Sequence, residues 1–445
     1  MHPSRPLSPS LDPSAAPAED GGPPLSIGLY CPGWPPEGFA NGIITYVEAI
    51  AEGMTRLGHR PYILAGSVAE PISEAPPAPV LDLRPLYAPG LPGKVAEALA
   101  YRLDPKAPAT RIMRIARGLR RVIQGAEGYP RLDILEVEET LGLPGTLGRR
   151  RRVPVVARLH GPWFLNGPNQ GGDPLSREFA RRVRIEGKVL RVVEGITGPS
   201  QDVIDRTRAY YNEPLPEAEA IPNPVRLVPA DRQWRVETSE PDHIVFIGRF
   251  DRHKGGDTIL DAFAVLLRDR PSARLTFVGP DRGLDRDGRH WTLPEYLEHR
   301  LPGALAEGRV QWLGRRPPSD VAELRRRAAV TVVASRYETF AITITEAMAA
   351  GCPLVATRAG GASELFEDGL HGRYVDPEDP EGMASALAWM LADPARSAKL
   401  GAAAAEYCRR NYTPEIVAEQ TIRFYRRVLA KRATPGILES KESRP

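Results

Sequence analysis

The chain has 445 residues, a net charge of +3, and 42% hydrophobic and 26% charged residues. That length exceeds what one ordinary core supports, so two domains of about 200 residues each are expected. The charge balance is too near neutral to indicate nucleic acid as the main partner, and no apolar run approaches the roughly 20 residues that span a bilayer.

The proline-rich opening, residues 1–24, lacks an apolar core and predicts a disordered tail rather than a secretion signal. Order is expected from "LSIGLYCPG", a short strand ending in glycine and proline. The helix "NGIITYVEAIAEGMTRLGH" follows, with Ile43, Val47, Ile50, Met54 and Leu57 at helical spacing. "RPYILAG" supplies a second strand. "RIMRIARGLRRVI", residues 111–123, places Ile112, Ile115, Leu119, Val122 and Ile123 on one side of a helix. Arg111, Arg114, Arg117, Arg120 and Arg121 fill the other side, and "GRRRR" at 148–152 adds charge. The plainer reading is a core-packed helix with a solvated arginine face; the second is peripheral contact with an anionic membrane. "LDILEVE", "VPVVARLHG" and "EGITGPS" continue as strands, with a helix through "REFARRVRIEGKVLRVV". Short apolar strands alternating with helices predict a parallel sheet covered on both faces, here over residues 25–225.

Residues 226–241 lapse into proline and polar residues and are read as a linker. The rhythm restarts over 242–412 with the strand "HIVFIGRF", the helix "GGDTILDAFAVLLRDR", and the strands "RLTFVGP" and "VQWLGR". The helix "SDVAELRRRA", capped by Ser319 or Asp320, comes next, then "VTVVAS", "ITITEAMAAG" and "PLVATRAGG" as strand, helix and strand. This is a second doubly wound domain, and two such domains facing each other form a cleft at the carboxyl ends of their strands. Residues 413–432 form a last helix and 433–445 a second disordered tail. Cys31, Cys352 and Cys408 lie far apart with no paired or metal-ligand spacing, which points to a reduced, cytoplasmic setting.

The chemistry concentrates in the second domain. In "ASRYETFAITITEAMAAG" a loop joins a buried strand to a helix, so free amides and the positive helix end are set to receive an anion. Glu346 falls inside that helix, where a carboxylate suits two vicinal hydroxyls such as those of a ribose. Glu338, on the loop, reaches another part of the ligand. Arg249 and Lys254, in "GRFDRHKGG", stand just beyond another strand of the same sheet and can clamp a diphosphate, one as a fork and one as a point charge. Gly360 and Gly361 mark a place where the backbone approaches something closely. The plain alternatives are helix-face carboxylates and solvated loop charges; the two glutamates together with Arg249, Lys254 and the glycine pair favour a site. Asp285 and Asp287 in "DRGLDRDGRH" mimic a metal-binding pair but lie in a polar loop, where solvated turn residues are expected.

Together "GRFDRHKGGDTILDAF", "FVGP", "SRYETFAITITEAMAAGCPLVATRAGGASELFEDGLHG" and "IPNPV" resemble the retaining GT-B glycosyltransferases of family GT4, whose glutamate pair with seven residues between corresponds to Glu338 and Glu346. "NGIITYVEAIAEGMTRLGH" resembles that family's glycine-loop helix and "RLHGPWF" its histidine strand end. The resemblance implies two Rossmann-like domains facing across a cleft, with the last helix crossing back to the first. It implies that Arg249 and Lys254 bind the donor diphosphate and stabilise the leaving group, that Glu346 holds the ribose, and that Glu338 contacts the donor sugar. The backbone of Phe340, Ala341 and Ile342 meets sugar and phosphate, Asn41 and Gly42 approach from the other domain, and His160 lies beside the sugar. Asn41 and Ala341 stand where the family often has glycine. The implied activity is metal-independent transfer of a sugar, with retention, from a UDP- or GDP-linked donor, without a cofactor. The acceptor is a glycan or lipid-linked hydroxyl in cell-envelope or exopolysaccharide synthesis. A sugar-nucleotide epimerase and a non-catalytic sugar-nucleotide-binding protein are the alternatives.

Overall fold

The computed structural model describes residues 22–39, 41–69, 75–87, 108–148 and 151–433. Of the tails expected over 1–24 and 433–445, residues 1–21 and 434–445 lie outside the described residues, as do Arg149 and Arg150.

Two parallel sheets form the two lobes. In the first lobe the strands are β1 (Ser26–Cys31), β2 (Arg60–Ala65), β3 (Val80–Asp82), β4 (Ile134–Glu138), β5 (Val155–Arg158), β6 (Gly195–Gly198) and β7 (Ala218–Ala220). They lie in the order β3-β2-β1-β4-β5-β6-β7, all pairs parallel. In the second lobe β8 (Glu240–Ile247), β9 (Arg274–Val278), β12 (Val310–Gly314), β13 (Ala328–Val333), β14 (Leu354–Thr357) and β15 (Arg373–Val375) lie in the order β12-β9-β8-β13-β14-β15. Between them β10 (Leu284–Arg286) and β11 (Arg289–Trp291) form a separate antiparallel hairpin. The strand order reverses between β1 and β4 and between β8 and β13. In open parallel sheets such reversal points open the crevice that receives ligands. The loops that follow β8 and β13 carry Arg249, Lys254 and Glu338.

The helix Pro414–Ala433 lies on the first lobe, although it follows the second in sequence. Val417, Ala418, Ile422, Phe424, Tyr425 and Val428 join one core with Ile27, Leu29, Ile44, Val47 and Ile50. Burial of each large apolar side chain there stabilises by about 1.5–3 kcal/mol. Gly53 permits the close approach, since a Cβ on it would meet the Pro414 carbonyl oxygen at 2.0 Å. The two chain crossings run side by side, the Val225 amide donating to the Tyr412 carbonyl at 2.7 Å.

Four expectations need correction. The helix expected to be capped by Ser319 or Asp320 begins at Pro318, with Pro317 at the cap and no side-chain cap bond; proline suits the first turn because its missing N–H would have no partner there. The helix expected through Val193 is regular only over Arg177–Gly187 and then tightens. The linker is not wholly polar in role: Trp234 is buried and its indole donates to the Ala328 carbonyl at 2.7 Å. The polar loop at 281–290 is the β10–β11 hairpin, turning at Asp287 and Gly288, both at positive φ (53° and 72°) as a two-residue hairpin turn requires. Asp285 and Asp287 are about nine-tenths exposed there. The arginine-rich helix Pro108–Ile123 turns Ile115, Leu119, Val122 and Ile123 into the first lobe's core. That apolar stripe is therefore covered by protein, and the helix does not present it to a lipid surface.

Candidate active site

Glu338 is positioned by a chain of backbone constraints. Gly255, at φ +66°, lies so close to β13's exit that a Cβ on it would meet the Ala334 carbonyl oxygen at 2.0 Å. Only glycine lets the loop after β8 rest on the loop after β13. The half-buried Arg336 then ties the two together: its guanidinium donates to both oxygens of Asp257 at 2.9 and 2.8 Å, and its amide to the His253 carbonyl at 2.9 Å.

This brings the Lys254 ammonium into direct contact with the buried carboxylate of Glu338, which also accepts from the Ser335 hydroxyl at 2.7 Å. His253 Nε2 lies 3.9 Å from the second oxygen. Burial alone would raise the Glu338 pKa, but Lys254, His253 and the hydrogen bonds outweigh it and hold the carboxyl below its usual range. Arg249 pairs with Asp251, whose other oxygen accepts the Lys254 amide at 2.7 Å. One carboxylate thus orders both cations, and the Arg249 side chain remains more than a third exposed.

Phe340 and Ala341 are buried and lead into the helix Ile342–Ala349. Ala341, at its cap, supplies no side-chain acceptor, so the first-turn amides keep their capacity for an anion. Glu346, five residues along, is 40% exposed and accepts from Arg325 at 2.9 Å. Arg325 went unread in the sequence: it lies in the last turn of a basic helix among Arg326 and Arg327, and nothing local marks it as the buried member.

Across the cleft Gly42 opens the helix Gly42–Arg56, and a Cβ there would sit 3.3 Å from Ile342 Cδ1. The Asn41 side chain caps its own helix, accepting the Ile43 amide at 3.0 Å. His160 follows β5, its ring edge-on to Tyr46 at 4.9 Å. Burial first, and then the Arg158 guanidinium, hold the imidazole well below its usual range, so it is neutral at physiological pH. The His160 and Gly161 amides both donate to Glu139, at 2.9 and 2.8 Å. Burial and the neighbouring Glu186 push that carboxyl up to about 8.

The glycine pair is approached by protein. A Cβ on Gly360 would strike the Tyr337 ring at 2.4 Å, and one on Gly361 would strike the Thr339 carbonyl and the Ser200 hydroxyl at 2.2 and 2.3 Å. Glu338, Lys254 and Arg249 therefore form one cluster at the second sheet's reversal point. Glu346 lies on the helix leading from it, and Gly42 contacts that helix from the first lobe.

Comparison with known proteins agrees with this architecture. Residues 229–407 match the family model described as Glycosyl transferases group 1, and residues 40–228 that described as Glycosyltransferase Family 4. A D-inositol 3-phosphate glycosyltransferase of Nocardiopsis dassonvillei is 29% identical over 423 residues, covering 90% of this chain and 93% of that protein. Glycogen synthase of Mycobacterium tuberculosis is 27% identical over 70% of this chain and 72% of its own. Among solved structures, sucrose-phosphate synthase from Thermosynechococcus elongatus superimposes with a TM-score of 0.65 at 20% identity, over 92% of this chain and all of that one. Anabaena Alr3699/HepE, in complex with UDP and glucose, does so with a TM-score of 0.62 at 18% identity, over 90% and 98%. The chain belongs to the group 1, family 4 glycosyltransferases and has their GT-B fold.

Proposed function

We propose that the protein transfers a sugar from a UDP- or GDP-linked donor to an acceptor hydroxyl with retention of configuration. The observation that carries this reading is the pairing of Lys254 with the buried Glu338 beside the half-exposed Arg249, under the uncapped start of the Ile342–Ala349 helix. A pyrophosphate entering here meets two cations and the amides at the uncapped helix start. Glu338, kept ionised, accepts hydroxyls of the attached sugar, and Glu346, steadied by Arg325, accepts the two ribose hydroxyls. The crystallised UDP complexes of Anabaena Alr3699/HepE support a uridine donor.

As the glycosidic phosphate bond breaks, negative charge grows on the leaving nucleotide diphosphate and positive charge on the sugar. Donors already aimed at the phosphate need no reorganisation, and groups of this kind contribute about 10²–10³ in rate each. Arg249 and Lys254 supply that charge from the protein itself. The neutral His160 imidazole offers a hydrogen bond to the sugar without placing a second cation beside the forming oxocarbenium ion. With no nucleophile beside the reacting carbon in this reading, the acceptor attacks from the face the phosphate leaves, and the departing phosphate oxygen takes its proton. The acceptor we favour is a glycan or lipid-linked hydroxyl of the cell envelope or an exopolysaccharide.

Thermal-shift titration with UDP, GDP and ADP identifies the base, since a ligand at a hundred times its Kd stabilises by about 2.7 kcal/mol. Proton NMR of the product then reads the anomeric configuration. Turnover within a few-fold of wild type in the Arg249→Ala, Lys254→Ala double variant would refute the phosphate clamp.

A further inference from the structure

The residues on either side of Glu338 both reach into the other lobe. The Tyr337 hydroxyl donates to Asp202 at 2.9 Å, and the Thr339 hydroxyl donates to the His160 carbonyl at 2.8 Å. The Thr339 carbonyl accepts from the Ser200 hydroxyl at 2.9 Å. A little farther along the same lobe, Glu364 receives the amides of Gln201 and Asp202 at 2.8 and 2.7 Å. It thereby takes the first-turn N–H groups of the helix Gln201–Tyr211, where a carboxylate also favours the positive helix end. Tyr337 and Thr339 are both more than nine-tenths buried. Gly361 is needed for this seam, because any side chain there would drive Ser200 and Thr339 apart.

We propose that Tyr337 and Thr339 are positioning residues that seat Glu338 through contacts with the first lobe, so that a docked seam and a competent donor-sugar site are one state. The geometry gives the reason. Glu338 is one residue from each anchor, and the loop carrying it pairs only through a single bridge to Gly360, in which the Glu338 amide donates to the Ala359 carbonyl at 3.2 Å and its carbonyl accepts the Gly361 amide at 2.8 Å. Arg336 fixes the loop's start on Asp257, and the buried Phe340 fixes its end. The middle, which bears the carboxylate, is held by Ser335, Lys254, the bridge to Gly360 and the seam, and Gly361, which closes that bridge, is itself packed against Ser200 of the first lobe. Undocking the lobes frees both of its neighbours at once. Arg249, Lys254 and Glu346 lie on the second lobe and keep their places, so the nucleotide still binds. The Thr339 bond also ties the carbonyl of His160 to the Glu338 loop, which keeps the histidine and the glutamate in register across the cleft.

This inference rests on the glycosyl-transfer reading, and its test separates the two. Full-length Tyr337→Phe, Thr339→Val and the double variant are compared with wild type for UDP and GDP binding by calorimetry, for sugar transfer, and for interlobe spacing by small-angle X-ray scattering. Each net hydrogen bond corresponds to about a fivefold effect, so the double variant is expected to lose turnover by about 20-fold. Nucleotide affinity is expected within twofold of wild type, and the radius of gyration is expected to rise. Thr339→Ser, which keeps the hydroxyl, restores turnover. A double variant that transfers sugar within twofold of wild type overturns the proposal. If wild type transfers no sugar from any donor, the functional reading fails and scattering still decides the seam: an unchanged interlobe spacing in the double variant overturns it.

Discussion

Replacing Lys254 by methionine isolates the ion pair on which the site turns. Glu338 is buried and Lys254 is about a quarter exposed. Two unit charges about 4 Å apart interact by about 4 kcal/mol at the effective dielectric suited to such sites. Partial exposure of the ammonium reduces this to about 2 kcal/mol. Removal of Lys254 leaves a carboxylate whose largest remaining influence is burial, which drives its pKa upward. The sign then inverts. In wild type the folded pKa lies below the unfolded value, so Glu338 contributes stability that is present above the usual carboxylate range and lost as pH falls through the folded pKa. In Lys254→Met the folded pKa lies above it, so stability is present at low pH and lost as pH rises through the raised value.

The stability difference between the two proteins is therefore largest near neutrality and shrinks toward about pH 4. At about pH 7 the second-lobe thermal transition is expected to fall by about 4–8 °C, from about 2 kcal/mol in a domain of this size. Differential scanning fluorimetry across about pH 4–8 measures it. The Lys254→Met, Glu338→Gln double variant is expected to recover most of the deficit, because the buried charge has gone with its partner. A deficit that is flat with pH, or a double variant no more stable than Lys254→Met, would refute the reasoning.

Glu346→Ala should weaken UDP or GDP binding by about tenfold, the cost of losing a charged acceptor for ribose hydroxyls, as read by calorimetry. Gly255→Ala forces a side chain at φ +66° against the Ala334 carbonyl. It should cost at least about 1–2 kcal/mol, lower the thermal midpoint, and abolish stabilisation by added nucleotide, because Lys254 no longer meets Glu338. Because burial and Arg158 hold His160 neutral, kcat/KM should show no inflection near the usual histidine value of about 6.5. An inflection there that disappears in His160→Asn would count against the assignment.

The fold was largely legible because parallel strands buried on both faces write short apolar runs, as in β1, β2, β5, β8, β9, β13 and β14, while β4 and β6 were placed by the alternation around them. β3, β7 and β15 escaped notice. Each has three residues, too few for any periodicity to rise above its surroundings, and each is fixed by pairing with a longer neighbour. The helix Pro108–Ile123 shows the converse limit. Its amphipathic pattern is unambiguous, but a pattern states that a face is covered and not by what, and tertiary packing gave that face to the core.

The site divides along the same line. Arg249, Lys254 and Glu338 were legible because each follows a strand exit, and Glu346 because it lies one turn inside the helix that follows, positions set by nearby residues. Their partners were not. Arg325 finds Glu346 only because β13 intervenes between their helices, and Asp251 orders Arg249 through a turn that apolar patterning does not record. Gly360 and Gly361 were read correctly as a place of close approach, yet what approaches them is Tyr337, Thr339 and Ser200. That last contact is the informative one. A glycine pair kept small for a ligand would tolerate change once a smaller ligand bound, whereas one kept small for the opposing lobe constrains every donor the cleft receives. Substitution of Gly361 should therefore impair transfer from all donors alike, while substitution of Glu346 should act on the nucleotide alone.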